Sequence, residues 1–271
     1  MESLSRWFEK KFLPEYAADP PSGGRVFTVI GSGGKTSLIW RLALSQRSRK
    51  VLVSPTTKMY PPPPEARWYD YSLFGREAAC FPPDAGNGPG RGICLAGILN
   101  EGTGKLEALP PEVLETMAGA YDLILLEGDG SRGLPLKGWT DHEPVVPPWT
   151  SVSIGIIPIT PLGENVSEQR VFRLPQFSRL SGAKEGETLS PAHLAAVIAG
   201  PAGMPEGGKG GARSLFSAAR GKKLLFINQV EDEVRREQAR QIVSCLPGDF
   251  RAGLAGIIAG SVEQDRVEVL D

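Results

Sequence analysis

Short runs of hydrophobic, mostly β-branched residues recur along the chain, separated by longer polar or amphipathic stretches. Several runs are continuous rather than alternating, as in parallel strands whose two faces are both covered by helices. The pattern predicts strands at 26–30, 51–54, 92–99, 123–127, 152–159, 224–228 and 254–258. It predicts helices at 36–46, 111–118, 190–198 and 230–245. This alternation indicates an α/β fold with three layers and a mostly parallel sheet.

Segments rich in proline and glycine interrupt the alternation. A four-proline run at 61–64 is predicted to be extended, because each proline biases the preceding residue away from the helical region. The segments 81–92 and 200–211 are rich in glycine and proline, and we expect loops there. None of these segments has the character of a domain linker.

The first residues of the chain place apolar side chains at helical spacing, with charged residues between them. The apolar positions are Leu4, Trp7, Phe8 and Phe12. They predict a helix that packs ahead of the first strand, and a membrane- or partner-binding helix is the alternative. We expect a helical extension at 1–24 and a single domain at 25–271, since one core can grow to roughly 250–300 residues.

Composition narrows the functional classes. The 271 residues carry 30 Lys+Arg against 31 Asp+Glu, so no overall field attracts nucleic acid or a membrane surface. No stretch reaches the ~20 apolar residues that span a bilayer, and the N-terminus lacks a signal-peptide core. The three cysteines are Cys80, Cys94 and Cys245, which are widely spaced and odd in number. Reduced thiols and a cytoplasmic location are therefore expected, with no nucleic-acid or membrane partner.

The stretch VFTVIGSGGKTSL at 26–38 is the strongest chemical signal. A phosphate-binding P-loop has the pattern G-x-x-x-x-G-K-S/T after a strand: its backbone N–H groups surround phosphates, its lysine reaches the terminal ones and its hydroxyl holds magnesium. Here Val29 occupies the first-glycine position, but the rest of the pattern is complete. The predicted nucleotide contacts are Gly31, Ser32, Gly33, Gly34, Lys35, Thr36 and Ser37. The alternative is a glycine-rich turn with an incidental lysine.

A buried strand in YDLILLEGDGS (121–131) ends in Glu127 and Asp129, two residues apart. Because ligands of α/β sheets bind at the carboxyl ends of strands, both carboxylates should lie beside the magnesium of the loop. With Thr36, they are the candidate Mg²⁺ ligands, and one of them can orient a water for attack on the γ-phosphate. The alternative is a salt-bridged strand end followed by a turn-forming aspartate.

Further polar residues follow the predicted strands. Thr56, Thr57 and Lys58 end the second strand and are candidate contacts to the γ-phosphate or its metal, or else they satisfy loop backbone. After the acidic turn, Arg132 and Lys137 either stabilise charge in the transition state or neutralise Glu127 and Asp129 as structural ion pairs. We assign Lys35, Glu127, Asp129 and Arg132 as the candidate catalytic residues.

Two weaker signals concern a histidine and the base. His142 lies between two acidic residues, but a lone loop histidine is usually unrelated to catalysis. Asn228 ends a strand in LFINQVE, which is similar to the N-K-x-D signature of GTPases with Gln229 for lysine and Glu231 for aspartate. Asn228 is therefore a candidate base contact, and both ATP and GTP remain open.

Four segments in order, GSGGKTS, SPTTKM, LEGDGSRGLPLKGWTDHEPVVP and LFINQV, resemble the YqeC-like family of accessory proteins for selenium-dependent hydroxylases. The resemblance covers about residue 26 to the C-terminus, and the acidic segment is its specific part. Matching positions are Gly31, Gly34, Lys35, Thr36, Thr56, Thr57, Lys58, Glu127, Asp129, Ser131, Lys137 and His142. Gly128 and Gln229 depart from it, which affects the base more than the phosphate site.

The resemblance implies a P-loop NTPase-like domain that takes part in the maturation of molybdenum hydroxylases carrying labile selenium. It supplies a pathway but no reaction. The acidic turn is also similar to that of P-loop metallochaperone GTPases, so the leading hypothesis is an NTP-hydrolysing accessory factor that switches with its nucleotide. The expected partners are a nucleoside triphosphate, Mg²⁺ and a molybdenum hydroxylase or its cofactor-maturation enzymes. A Mur-type ATP-dependent ligase, a small-molecule kinase and a non-hydrolysing nucleotide-binding scaffold remain alternatives.

Overall fold

The computed structural model of the chain describes residues 1–13, 25–75, 90–200 and 213–270. In chain order its strands are β1 (Glu2–Ser3), β2 (Arg25–Gly31), β3 (Lys50–Pro55), β4 (Lys58–Met59), β5 (Tyr71–Phe74), β6 (Gly92–Asn100), β7 (Lys105–Glu107), β8 (Leu123–Glu127), β9 (Leu136–Lys137), β10 (Val152–Pro158), β11 (Val171–Phe172), β12 (Lys222–Asn228), β13 (Gly256–Ser261) and β14 (Arg266–Val269). Its helices are α1 (Leu4–Phe12), α2 (Lys35–Ser45), α3 (Pro111–Ala118), α4 (Leu174–Ser181), α5 (Pro191–Ala199), α6 (Glu233–Cys245) and α7 (Gly248–Ala252), with a 3₁₀ turn at Pro64–Ala66.

One large sheet organises these elements. Within the described residues it has 12 strands, in the order β1-β14-β13-β12-β10-β2-β8-β3-β6-β7-β4, and β5 pairs with β6. The strands from β13 across to β6 are all parallel, and β1, β14, β7 and β4 add antiparallel pairs at the two sides. A separate pair, β9 with β11, lies outside this sheet. The predicted α/β class with a mostly parallel sheet is confirmed.

Helices cover both faces of the sheet. Along β2, Phe27 and Val29 point into a core shared with α1 and α2, while Val26 and Ile30 point to the opposite face. That second face packs against α3 and, nearer β12, against α4, α5 and α6. Because both faces are buried, the central strands are apolar at nearly every position, which explains the continuous runs in the sequence. The three-layer architecture follows from this packing.

Some of the predicted helices begin at a residue whose side chain caps the helix, as in α5 and α6. The side chain of Ser190 accepts a hydrogen bond from the backbone N–H of His193, and the His193 side chain accepts one from the backbone N–H of Ser190 in a capping box. Asp232 caps α6 in a similar way through the N–H of Arg235. The sequence analysis did not predict α4 or strand β14, which lies between β1 and β13. β14 has only four residues, too few for a clear pattern.

The N-terminal segment is integrated into the same fold. The apolar side chains of α1 are buried in the core, and β1 pairs with β14. Asp265 accepts hydrogen bonds from the hydroxyls of Ser3 and Ser5, which fixes this contact. The predicted packing helix is thus present at 4–12. No helix in the described part of the chain combines the length and the hydrophobicity that crossing a bilayer requires.

Some predictions fall wholly or mostly on residues that lie outside the described ranges. They concern Cys80, most of the loop at 81–92, nearly all of the loop at 200–211 and the end of the extension at 14–24. In the proline run, Pro63 is extended as predicted, but Pro64 begins the 3₁₀ turn.

Candidate functional site

The loop between β2 and α2 occupies the centre of the sheet's carboxyl edge. Gly31, Gly33 and Gly34 have φ values of 109°, 73° and 127°, so this path strongly favours residues without a side chain. Space is also limiting, because a Cβ on Gly34 would lie 2.3 Å from Nδ2 of Asn228. Val29, at the position of the absent first glycine, is a buried residue inside β2. The loop is therefore short and begins directly at the strand end.

This loop exposes an uninterrupted series of backbone donors. The N–H of Gly31 is taken by Asp129 and that of Ser32 by the carbonyl of Ile156. The next five N–H groups, those of residues 33–37, have no acceptor among the described residues. Consecutive free amides at the start of a helix form a site for an anion, since the amide dipoles and the helix dipole favour negative charge there. Phosphate binding by this loop remains a prediction, and the free N–H groups at 33–37 are the observation that bears on it.

Lys35 adds a cation beside those amides. Its Nζ donates to the carbonyl of Gly31 at 2.6 Å and lies 3.4 Å from Oδ1 of Asp129. The side chain is nearly buried but contributes to the wall of the adjoining cavity. The ammonium thus lies against the loop that it is predicted to serve.

Glu127 reaches the loop from the neighbouring strand. It pairs in register with Val29 of β2 and Pro55 of β3, which places its carboxylate at the start of α2. Its Oε2 accepts a hydrogen bond of 2.8 Å from the hydroxyl of Thr36. Burial raises the pKa of Glu127, although the nearby Lys35 charge and the Thr36 hydrogen bond act in the opposite direction. Two of the three predicted metal ligands therefore contact each other directly.

Asp129 occupies a different position from Glu127. It is fully buried and accepts hydrogen bonds from the N–H of Gly31 at 3.0 Å, from Nζ of Lys137 at 3.0 Å and from Nε1 of Trp139 at 2.7 Å. It does not line the cavity beside the loop. Its predicted roles as metal ligand and catalytic group remain predictions. In this geometry its carboxylate holds the loop from the buried side, through Gly31 and Lys35.

Lys137 belongs to the same buried network. Besides Asp129, its Nζ donates to Oε2 of Glu143 at 2.9 Å and to the carbonyl of Gly130 at 2.6 Å. Glu143 is held in turn by Arg173 at 2.7 Å. The sequence left open whether Lys137 meets the nucleotide or forms ion pairs, and here it forms ion pairs. Sequence reasoning did not assign Glu143, Trp139 or Arg173 to this site, and no spacing in the sequence marks them as partners of Lys137.

Arg132, by contrast, is exposed and lines the cavity. Its guanidinium lies 4.8 Å from the ring centroid of Phe172, and the guanidinium of Arg173 lies 4.6 Å from the same ring. Arg132 also has a left-handed backbone, with φ of 54°. The turn after β8 thus presents this guanidinium to the cavity, and its catalytic role remains a prediction.

The three residues after β3 differ in their surroundings: Thr56 and Thr57 lie away from the cavity, whereas Lys58 lines it. The Thr56 hydroxyl donates to the carbonyl of Val145 at 2.7 Å and to that of Glu127 at 3.2 Å. These bonds connect the end of β3 to the end of β8 and to the loop that contains Val145. The Thr57 hydroxyl is buried without a hydrogen-bond partner in the described structure. Lys58 lines the cavity and pairs with Glu107 at 2.8 Å. Of the three, only Lys58 faces the space where a phosphate would bind.

Asn228, at the end of β12, joins the loop to the segment after β13. Its Nδ2 donates to the carbonyl of Gly33 at 2.8 Å, and its Oδ1 accepts from the N–H of Val262 at 3.0 Å. Both ends of the amide are therefore engaged with the protein. Gln229 has a left-handed backbone and accepts from Thr160, while Glu231 accepts from Ser261. Base contact by Asn228 stays a prediction, and its observed contacts clamp the loop.

A cavity of about 400 Å³ adjoins the loop. Its walls come from the start of α2, the β4 segment, β7 and the turn after β8. The charged side chains that the described residues place in these walls are Lys35, Lys58, Lys105, Arg132 and Glu127. Four cations against one carboxylate favour an anionic ligand. A second cavity, of about 450 Å³, lies at the amino end of β12, away from the loop.

Other candidate groups lie elsewhere. His142 is exposed, and the described residues contain no group of three or more His, Cys, Asp or Glu side chains suited to a metal ion. Cys94 is buried, which raises the pKa of its thiol to about 11, and Cys245 is exposed. A buried thiol with a raised pKa is a poor nucleophile, so Cys94 is unsuited to carrying selenium.

The chain is similar to known proteins over the segment that contains this site. The family model described as "YqeC protein" matches residues 27–175. This segment contains the loop, Glu127, Asp129, Lys137 and Arg173. The chain is 34% identical over 190 residues to "Uncharacterized protein YqeC" of Escherichia coli (strain K12), covering 67% of this chain and 72% of that protein. No solved structure matches the chain.

Proposed function

Because this chain belongs to the YqeC family, whose matched segment spans the loop and its acidic support, we propose that it binds and hydrolyses a nucleoside triphosphate, ATP or GTP. The observation that carries the proposal is the run of free backbone N–H groups at 33–37 beside Lys35. A triphosphate would satisfy these donors and place its terminal groups in the cationic cavity. The neutral overall charge argues against a larger polyanion as the ligand.

The residues at the loop also fit magnesium. Thr36 and Glu127 provide the hard oxygen ligands that Mg²⁺ prefers, and the raised pKa of Glu127 indicates a carboxylate whose charge is poorly compensated without a cation. We infer that these two residues hold the ion, partly through water. The ion supplies neutralisation of the charge on the phosphate oxygens. Asp129 is then a positioning residue that fixes Gly31 and Lys35.

The remaining contributions come from the chain itself. The loop amides and Lys35 bind the phosphate oxygens, and their charge stabilises the negative charge that develops on the leaving group. Among the described residues, Glu127 is the one carboxylate in the cavity wall, so it is the candidate for orienting the attacking water. Arg132, a catalytic candidate from the sequence, lines the same cavity. Lys58 and its neighbours between β3 and β4 are the candidate switch segment.

Calorimetric titration with ATP and GTP, with and without magnesium, tests this proposal when phosphate release is measured in the same samples. Magnesium-dependent binding with slow phosphate release would support hydrolysis and identify the base. Lys35→Ala should abolish binding, whereas Lys222→Ala, an exposed lysine at the far end of β12, should leave it unchanged. Binding without release would favour a scaffold, and release only with an added acceptor would favour a kinase or ligase.

The pathway is a separate proposal that rests on family resemblance. We propose that nucleotide turnover serves the maturation of a selenium-dependent molybdenum hydroxylase in the cytoplasm. The printed name of the Escherichia coli relative states no activity. Hydroxylase activity in cells that lack this chain, complemented with the natural sequence or with Lys35→Ala, tests the link. Equal hydroxylase activity in all three strains would remove it.

A further inference from the structure

The cavity beside the loop extends toward one side of β2. In the sheet, β8, β3 and β6 lie on one side of β2, and β10 and β12 lie on the other. Beyond the loop itself, the cavity's lining residues come from the β8 side, namely from β4, β7 and the turn after β8. Asn228, at the end of β12, does not line it. The space therefore continues from Thr36 and Glu127 away from β12 and toward β7.

The far walls of this space are cationic and partly uncompensated. Lys58 is neutralised by Glu107 at 2.8 Å. Lys105 and Arg132 form no ion pair with any described residue. Each is instead held over an aromatic ring, Lys105 at 4.6 Å from the centroid of Tyr60 and Arg132 at 4.8 Å from that of Phe172. Such contacts orient a cation without neutralising its charge.

Lys105 and Arg132 are additional to the charged groups that a nucleotide requires at the loop. The amides at 33–37, Lys35 and a magnesium ion already meet the charges of a triphosphate. Lys105 and Arg132 come from separate elements, β7 and the turn after β8. We propose that they form a subsite for a second, anionic ligand, a small molecule bearing a phosphate or carboxylate group, which binds next to the terminal phosphate of the nucleotide. This inference rests on the proposed nucleotide site and extends it.

The experiment uses the full chain saturated with magnesium and a non-hydrolysable triphosphate analogue. Inorganic phosphate and malonate are then titrated separately and followed by calorimetry. Because the analogue fills the terminal-phosphate position, any oxyanion that still binds must occupy another site. Lys105→Gln and Arg132→Gln should each weaken oxyanion binding about tenfold, the usual effect of losing a hydrogen bond to a charged group. Lys105→Gln should leave the affinity for the analogue within about twofold, and Lys222→Gln should change neither affinity.

Each result has a distinct meaning. Binding of phosphate but not malonate, or the reverse, would support the subsite and define the chemistry of its ligand. Failure of both oxyanions to bind to the saturated protein would overturn the inference while leaving the nucleotide site intact. Equal losses of analogue and oxyanion affinity in Lys105→Gln would also overturn it, because Lys105 would then serve the nucleotide. Failure of the analogue itself would refute the proposed function, on which the subsite depends.

Discussion

The carboxylate of Asp129 accepts a hydrogen bond from the backbone N–H of Gly31, a residue 98 positions earlier in the chain. The same carboxylate lies 3.4 Å from Lys35 and 3.0 Å from Lys137. One buried acid thus fixes the first glycine of the loop and its lysine together. The acidic turn after β8 thus holds the loop in place from its buried side.

Replacing Asp129 with Asn should destabilise the protein strongly. The amide oxygen can still accept from Gly31, but the buried charges of Lys35 and Lys137 lose their shared partner. Breaking a buried ion pair in this way costs about 3 kcal/mol in the free energy of unfolding, measured by urea denaturation. Asp141→Asn is the control, because Asp141 is an exposed acid in a 3.7 Å surface pair with Arg213 and should cost under about 1 kcal/mol. Equal losses in the two variants would show that Asp129 is not the centre of the network.

Glu127→Gln should stabilise the protein at neutral pH. Since burial raises the pKa of Glu127 in the folded state, the folded protein holds a proton that the unfolded chain releases. The free energy of unfolding therefore falls as pH rises above the ordinary carboxyl value of about 4.3, and this loss is complete above the raised pKa. The glutamine side chain does not titrate, so the stability advantage of this variant over the natural protein should grow as the pH rises from 4 toward 8.

Chemical denaturation of both proteins across that pH range, without nucleotide or magnesium, makes the measurement. A glutamine variant that becomes relatively less stable with rising pH would mean that the attraction of Lys35 and the Thr36 hydrogen bond outweigh burial.

Asn228→Ala should weaken ATP and GTP binding equally, by about tenfold. Its amide holds the carbonyl of Gly33 and the N–H of Val262, so its removal loosens the loop whatever base is bound. Calorimetry with both nucleotides separates this role from base recognition. A loss confined to one nucleotide would show that Asn228 contacts the base, as the sequence prediction holds.

Gly34→Ala should disrupt the loop more than its positive φ alone explains. At φ 127° the new Cβ would lie 2.3 Å from Nδ2 of Asn228, which forces the clamp to move. Gly163→Ala is a matched control, since Gly163 has φ 86° and a Cβ added there would meet no described atom within 4 Å. Backbone strain at Gly163 should cost about 1–2 kcal/mol. Thermal unfolding should show a larger loss at Gly34, and similar losses would mean that the clamp adapts freely.

The central sheet could be predicted from the sequence because its strands are buried on both faces. Runs such as that of β8 are apolar throughout, and the polar residues that follow them mark the strand ends. The peripheral pieces could not be predicted in the same way. Strand β14 is only four residues long, and Arg173, the residue before α4, has a left-handed backbone. The four residues of β14 carry too little periodicity for a prediction. In α4, Leu174, Phe177 and Leu180 are buried at helical spacing, which is a signal that the sequence analysis did not use.

The candidate site shows the same division. Gly31, Lys35, Thr36 and Glu127 were recognisable because a strand, a glycine turn and a helix start bring them together locally and by register. The partners of Lys137 were recognisable only in part: Asp129 was one of the acids considered, but nothing in the sequence pointed to Glu143. The clamp by Asn228 spans 195 residues to reach Gly33, a separation at which one sequence alone offers no spacing rule.

The position of β2 between β8 and β10 has a consequence for synthesis. The chain emerges from the ribosome N-terminus first, so the loop is made long before the strands that flank it and the clamp at Asn228 and Val262. Pairings of such large sequence separation form late in folding, after the closure of long loops. While Asn228 and Val262 are still inside the ribosome, the nascent chain lacks the hydrogen bonds that hold the loop at Gly33. If the proposed function holds, the protein should therefore become able to bind nucleotide only after its synthesis is nearly complete.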